Sequence, residues 1–202
     1  MSVRYRSSTI KKETLHTVSL LIPHLEPGAS VLDIGCGEGY VLDELIARGA
    51  TGVQGVDIVD IRGNKDYPFR LYDGETVPFP DRSFDVVVLS FVLHHVPNEK
   101  KVVLLEEALR VSRAKVVVVE DTPSTAFDRF MNQRHGESYR RKIHSQAAFG
   151  FLTEGEWRWL FRGMGLEPET RPLSRFCRSI LQPFARTAFV LRKSRARAFV
   201  AA

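Results

Sequence analysis

The run Asp33-Ile-Gly-Cys-Gly-Glu-Gly39 carries the densest chemical signal in the chain. Glycines at 35, 37 and 39 permit a left-handed backbone and let a ligand approach the main chain closely. A helix beginning directly after them would turn free N–H groups toward an anionic group. Taken alone, the run also describes a tight strand-to-helix turn. Tyr40 stands where a G-x-G-x-x-G dinucleotide fingerprint wants its third glycine, which disfavours a nicotinamide cofactor. No G-x-x-x-x-G-K-[ST] phosphate loop is present. Asp57, ending the next apolar run, can accept both hydroxyls of a ribose, or can cap a turn. Asp73 could meet an adenine amino group, and Asp60 is a weaker ribose partner. His94 and His95 can take a proton near neutral pH, or can close a pocket and cap the turn before Pro97. Cys36 is either a thiol activated at a helix N-terminus or a small residue filling the turn. With no H-E-x-x-H and no paired C-x-x-C, no metal site is expected.

These residues need elements to hold them. Apolar residues at helical spacing predict an amphipathic helix over about 9–25, broken by Pro27-Gly28. Ser30–Ile34 reads as a short strand, and Tyr40–Arg48 as a helix closed by Gly49. Strands follow at Thr51–Asp57, Phe69–Tyr72, Phe84–Ser90 and Lys115–Val119, the last with the β-branched continuity of a sheet buried on both faces. Asn98–Val111 and Glu154–Met164 read as helices, and Ser124–Phe151 as helical in part. Trp157 is expected in the core, and Trp159 exposed or a contact residue. Leu166–Leu173 and Thr187–Arg192 are expected strands, joined by a helical or irregular link. The alternation indicates an α/β domain with a mainly parallel sheet and helices on both faces.

The chain has 202 residues, 44% hydrophobic and 26% charged, which excludes a largely disordered protein. It is long enough to bury a sizeable core in one domain. No run approaches the ~18 apolar residues of a membrane span. The first twelve residues do not resemble a signal peptide, and two cysteines cannot form a disulfide framework, so a cytoplasmic location is expected. The net charge of +5 resides in the last stretch: eight basic residues and no acidic one lie between Arg171 and Ala202. Such a tail can attract phosphates, nucleic acid or an anionic membrane, or simply keep a surface solvated.

Val31–Gly39, Gly55-Val-Asp57, the run Tyr72–Asp85 and Val86–Pro97 together resemble the class I S-adenosylmethionine-dependent methyltransferases, in the branch acting mostly on small molecules. The resemblance is dense over about 30–120. It implies a Rossmann-like, doubly wound, mainly parallel seven-stranded sheet whose last strand is antiparallel. One methyltransferase domain would span 1–193, with a cofactor half at about 29–121, a substrate or lid region at about 122–165, final strands at about 166–193 and a frayed tail at 194–202. S-adenosyl-L-methionine would be the cofactor. Asp33, Gly35, Cys36 and Gly37 would shape the pocket for its methionine end, Asp57 with Ile58 the ribose, Asp73 and Gly74 the adenine, and Ser90 would lie under the sulfonium. His94 and His95 would be the catalytic candidates.

One departure stands out. Few residues separate Asp57 from Phe69, and Gly63 and Pro68 interrupt them, whereas a parallel crossover normally holds a helix. Either that helix is vestigial or the third strand is misplaced, which bears most on Asp73. The fourth strand ends Leu89-Ser-Phe-Val-Leu93 and not in an Asn/Asp-Pro-Pro-aromatic run, which argues against amino-group methylases of DNA bases and glutamine. In 124–151, Arg129, Arg134, Arg140, Arg141 and Lys142 interleave with Phe127, Phe130 and Tyr139, near His135 and His144. That pattern suits a lid over an acidic or aromatic small molecule, or a basic surface helix. An RNA methyltransferase using the basic tail and a non-catalytic cofactor-binding protein are the alternatives.

Overall fold

The computed structural model describes residues 3–143, 150–170, 174–179 and 182–192. Five parallel strands form the cofactor half: β1 (Ser30–Ile34), β2 (Gly52–Asp57), β3 (Phe69–Leu71), β4 (Phe84–Ser90) and β5 (Ser112–Asp121). Three more complete the sheet: β6 (Glu169–Thr170), β7 (Ser174–Ser179) and β8 (Gln182–Arg192). The main path runs β3-β2-β1-β4-β5-β8-β6, seven strands, with β7 pairing β8 off that path. The last strand, β8, is antiparallel to β5, as the resemblance implied. The strand order reverses beside β1, where ligands bind in open parallel sheets.

Alternation along the strands sorts the core into two layers. Leu32, Ile34, Val87, Leu89, Val116 and Val118 share one cluster with Trp157, Phe161 and Leu105. These come from α3 (Asn98–Val111) and α5 (Glu154–Gly163). Val31, Val86, Val88, Val117 and Val119 share the other with Val18, Leu21, Leu42 and Leu45. Those four belong to α1 (Ser8–Leu21) and α2 (Tyr40–Ala47). Val116 to Val119 are all fully buried, as a strand covered on both faces requires.

Helix ends follow local chemistry. Ser7 caps α1 by accepting from the Ile10 N–H. Thr153 and Glu156 form a reciprocal capping box at α5. Trp157 is fully buried and Trp159 is 80% exposed, as their spacing on α5 demands.

Two expectations change and one open alternative is resolved. Of the strand expected at 166–173, the described part up to 170 is strand at β6, and the expected helical or irregular link contains β7, hydrogen-bonded to an extension of β8. β5 reaches further than Lys115–Val119, to Asp121. The β2–β3 crossover contains no helix, and β3 lies where the sequence placed it. Arg62 does the helix's work there. It is 9% exposed and its guanidinium lies 4.1 Å from the centre of the Phe69 ring and 5.0 Å from that of Tyr67. It also donates to the Tyr67 carbonyl at 3.0 Å and forks onto Asp60, whose other ion-pair partner is Lys65. The expected tail at 194–202 lies outside the described residues.

Candidate active site

The loop between β1 and α2 has the backbone its glycines predict: φ is +75° at Gly35, +53° at Gly37 and +83° at Gly39. Gly35 and Cys36 both donate their N–H to the Val56 carbonyl of β2, at 2.8 and 3.2 Å. A Cβ on Gly35 would overlap Val92, and one on Gly39 would overlap the Tyr67 hydroxyl. Close approach, as well as φ, therefore requires glycine at both positions. The Cys36 side chain turns inward against Gly55 and joins the α1–α2 core layer. Burial, then the charges of Asp33 and Asp57, pushes its thiol far above the usual range. Cys36 is turn filler, and only its backbone can meet a ligand.

Asp57 binds the loop to the second strand. Its Oδ2 accepts the Gly37 N–H at 2.8 Å and its Oδ1 accepts the Ile58 N–H at 2.7 Å. Oδ1 also accepts the Val59 N–H at 3.4 Å, which leaves Oδ2 with a second lone pair for a ligand hydroxyl. The Tyr72 N–H donates to the Asp57 carbonyl, which brings the end of β3 to the same edge. Ile58 is 66% exposed there, and a Cβ on Gly74 would stand 3.3 Å from its Cγ2. Asp57, Ile58 and Gly74 thus converge. Asp73 joins them at the edge but is partly committed: its Oδ1 accepts the N–H groups of Glu75 and Thr76, both at 2.8 Å. Those two bonds hold its carboxyl below the usual range. Asp60 is taken up by Arg62 and Lys65 and does not serve this edge.

Two buried polar atoms in the crevice are orphaned among the described residues. Asp33 Oδ1 has no hydrogen-bond partner although the residue is 2% exposed, and Ser90 Oγ has none either. Burial, then the charge of Asp57, raises the Asp33 pKa well above the ordinary value. Buried polar groups are normally paired, so these two atoms suit a ligand that brings its own donors. An amino-acid moiety against the loop and a ribose against Asp57 fit this set of groups.

Beyond β4 the backbone turns sharply. Phe91 has φ +55°, unusual for a bulky residue and typical of functional sites. A 3-10 turn, Leu93–His95, then places His94 and His95 beside each other, ring centres 4.1 Å apart. His94 is buried and its ring stacks on Phe151 at 4.8 Å, while its carbonyl accepts the Gly150 N–H. Glu120, which the sequence reading passed over, is fully buried at the end of β5. Its Oε2 lies 2.7 Å from His94 Nδ1 and its Oε1 accepts the Leu93 N–H at 2.8 Å. The available signal was a pair of acids ending a β-branched run. Beside it, Arg186 of β8 is 1% exposed, pairs with Asp121 and with Glu13 of α1, and lies over the Phe91 ring.

The helix expected in part of 124–151 is α4 (Ala126–Ile143). Asp128 and Thr125 cap it reciprocally, and Phe127 and Phe130 are exposed. An open cavity of about 420 Å³ at its start is lined by Ser124, Thr125, Arg129, Phe130 and Gln133 among others. Arg134 lies over Phe130, whereas the side chains of His135, Tyr139, Arg140, Arg141, Lys142 and His144 lie outside the described set. α1 reaches the site from the other side: just before it, Arg6 pairs with Glu38 in the glycine loop and Tyr5 stacks on Tyr40. Among the described residues there is no cluster that could hold a metal ion, and no helix long and apolar enough to cross a membrane.

The family described as "Methyltransferase domain" matches residues 4–170. A demethylmenaquinone methyltransferase of Mycobacterium sp. (strain JLS) is 31% identical over 144 residues, 66% of this chain and 62% of that protein. The chain thus spans somewhat under two thirds of that relative's length. Among solved structures, an Archaeoglobus fulgidus SAM-dependent methyltransferase superposes with a TM-score of 0.70 at 17% identity, covering 94% of this chain and 96% of the other. The magnesium protoporphyrin IX methyltransferase of Synechocystis PCC 6803, with bound SAH, gives 0.65 at 18% identity, covering 95% and 89%. At such identities the likeness speaks for the fold. With the family match spanning most of the chain, this chain belongs to the methyltransferase-domain family.

Proposed function

We propose that the chain moves a methyl group from S-adenosylmethionine to a small-molecule acceptor held between the carboxyl ends of β4 and β5 and the start of α4. The cofactor supplies a methyl group on a positively charged sulfur. The chain's task is then mainly alignment of acceptor and methyl carbon. Gly35 and Gly37 would let the backbone lie against the amino-acid portion, with the orphaned Asp33 oxygen toward its ammonium. Asp57 would hold the ribose, Ile58 and Gly74 would flank the adenine with Asp73 at its rim, and Ser90 would lie beneath the reacting end.

The observation that carries this reading is Asp57, which ties the loop to β2 at 2.8 Å while keeping acceptor capacity toward the crevice. A small acceptor is supported by the enclosure of the far side, where His94 is buried against Phe151. The demethylmenaquinone methyltransferase relative supports it too. The test is to incubate the protein with methyl-labelled cofactor and separate metabolite, RNA and protein fractions of a cell extract. Label in a metabolite that gains one methyl group is expected. Label confined to RNA or protein would replace this reading.

A further inference from the structure

We infer that the cavity at the start of α4 recognises the methyl acceptor and takes an aromatic acid, with Arg129 holding the carboxylate and Phe130 packing against the ring. This rests on the methyltransferase reading and deepens it by naming the acceptor's chemical class. The cavity, about 420 Å³, falls within the roughly 300–1,000 Å³ of small-molecule sites. Its walls tie it to the carboxyl ends of β4 and β5. Pro123, Ser124, Thr125 and Ala126 follow almost directly from β5. Thr153 lies two residues after Phe151, whose ring stacks on His94 in the turn that follows β4. The Gly150 N–H, donated to the His94 carbonyl, fixes that wall to the same turn.

The lining offers a ring and a cation together. Phe130 is half-exposed there, and Arg129 is the one charged side chain among the described lining residues. The carboxylate nearest to Arg129 is already engaged. Glu156 Oε2 accepts the Thr153 N–H at 2.7 Å and the Thr153 hydroxyl at 2.8 Å as part of the α5 capping box. Arg129 Nη2 stands 3.6 Å from that same oxygen, beyond hydrogen-bond length. The guanidinium is therefore steered by Glu156 while its planar fork keeps its N–H groups for a ligand carboxylate. The helix N-terminus does not compete for the anion, because Asp128 Oδ2 takes the N–H groups of Ser124 and Thr125 at 3.0 and 3.1 Å. Of the other charges close by, Arg134 lies 5.7 Å from the Phe130 ring centre and adds positive potential, and Glu154 is paired with Arg158. One guanidinium beside one carboxylate suits a singly charged group, which assigns a carboxylate in preference to a phosphate dianion.

Two probes sharing one ring system separate charge from ring: 2-naphthoate and its neutral counterpart 2-naphthylmethanol, each titrated calorimetrically into the protein near neutral pH. Naphthoate is expected to bind saturably with a Kd below about 1 mM, and at least about tenfold more tightly than the alcohol. Arg129→Gln, at an exposed helix position, should erase that preference and bring the two affinities together. Glu156→Gln keeps an oxygen for the Thr153 cap and removes the competing charge. It should bind naphthoate about threefold more tightly and the alcohol no differently. Phe130→Ala should weaken both probes. Absence of saturable naphthoate binding, equal affinity of the unmodified protein for the two probes, or a preference that survives Arg129→Gln overturns the proposal. Unchanged affinities in Phe130→Ala overturn the ring contact. Titration of S-adenosylhomocysteine into the unmodified protein reports separately on the methyltransferase reading: cofactor binding without naphthoate binding refutes the acceptor class alone.

Discussion

The Gly37 N–H donates to Oδ2 of Asp57 at 2.8 Å, joining the first loop to the end of the second strand. The same carboxylate caps its own turn at Ile58. Asp57→Ala removes both acceptors at once and leaves the Gly37 N–H unpaired. Hydrogen bonds to charged groups are worth about 1.5–3 kcal/mol each, with exposure here placing the sum near the lower figure. Urea denaturation should show a loss of about 2 kcal/mol without ligand, and an unchanged midpoint would mean the loop holds itself.

Asp33 predicts a pH dependence of opposite sign to the usual carboxylate. Burial and the facing Asp57 raise its pKa in the folded protein well above 3.8. The folded state therefore keeps a proton that the unfolded chain releases, and stability present at low pH is lost as pH rises through the raised value. Asp33→Asn removes that loss. The stability of the variant relative to the unmodified protein should climb from just above pH 3.8 and then level off. A difference that is flat with pH contradicts it.

The loop glycines should separate in their tolerance of alanine. Gly37 is left-handed but open, so Gly37→Ala costs only backbone strain, about 1–2 kcal/mol. Gly35→Ala adds overlap with Val92 and should cost more. Pairing it with Val92→Ala should return part of the loss, giving a coupling that denaturant melts can read. Independent, additive losses would show that Val92 does not set the loop height.

How much of this was legible beforehand depends on which contacts are local. β1, β4 and α3 read to the residue because apolar runs are bounded by turn and capping residues within the same segment. β7 did not, because Ser174–Ser179 mixes charge with one aromatic and is made a strand only by its partner β8. The glycine loop and Asp57 were visible as types and spacing. Glu120 was not, since its link to His94 exists only through the β4–β5 register.

The helix-free crossover rests on Arg62, whose stack and fork lysine cannot copy. Arg62→Ala should lose about 2–3 kcal/mol from ring contact and charged hydrogen bonds together. Arg62→Lys should recover little of it in urea melts. Full recovery by lysine would reduce its role to charge alone.

Calorimetric titration of S-adenosylhomocysteine tests the central claim most directly, that the crevice between the Gly35–Gly39 loop and Asp57 holds an adenosyl cofactor. The account predicts saturable one-to-one binding to the unmodified chain, weakened at least about tenfold, or about 1.4 kcal/mol, by Asp57→Ala. Absence of binding to the unmodified chain, or equal affinity in the variant, would contradict it.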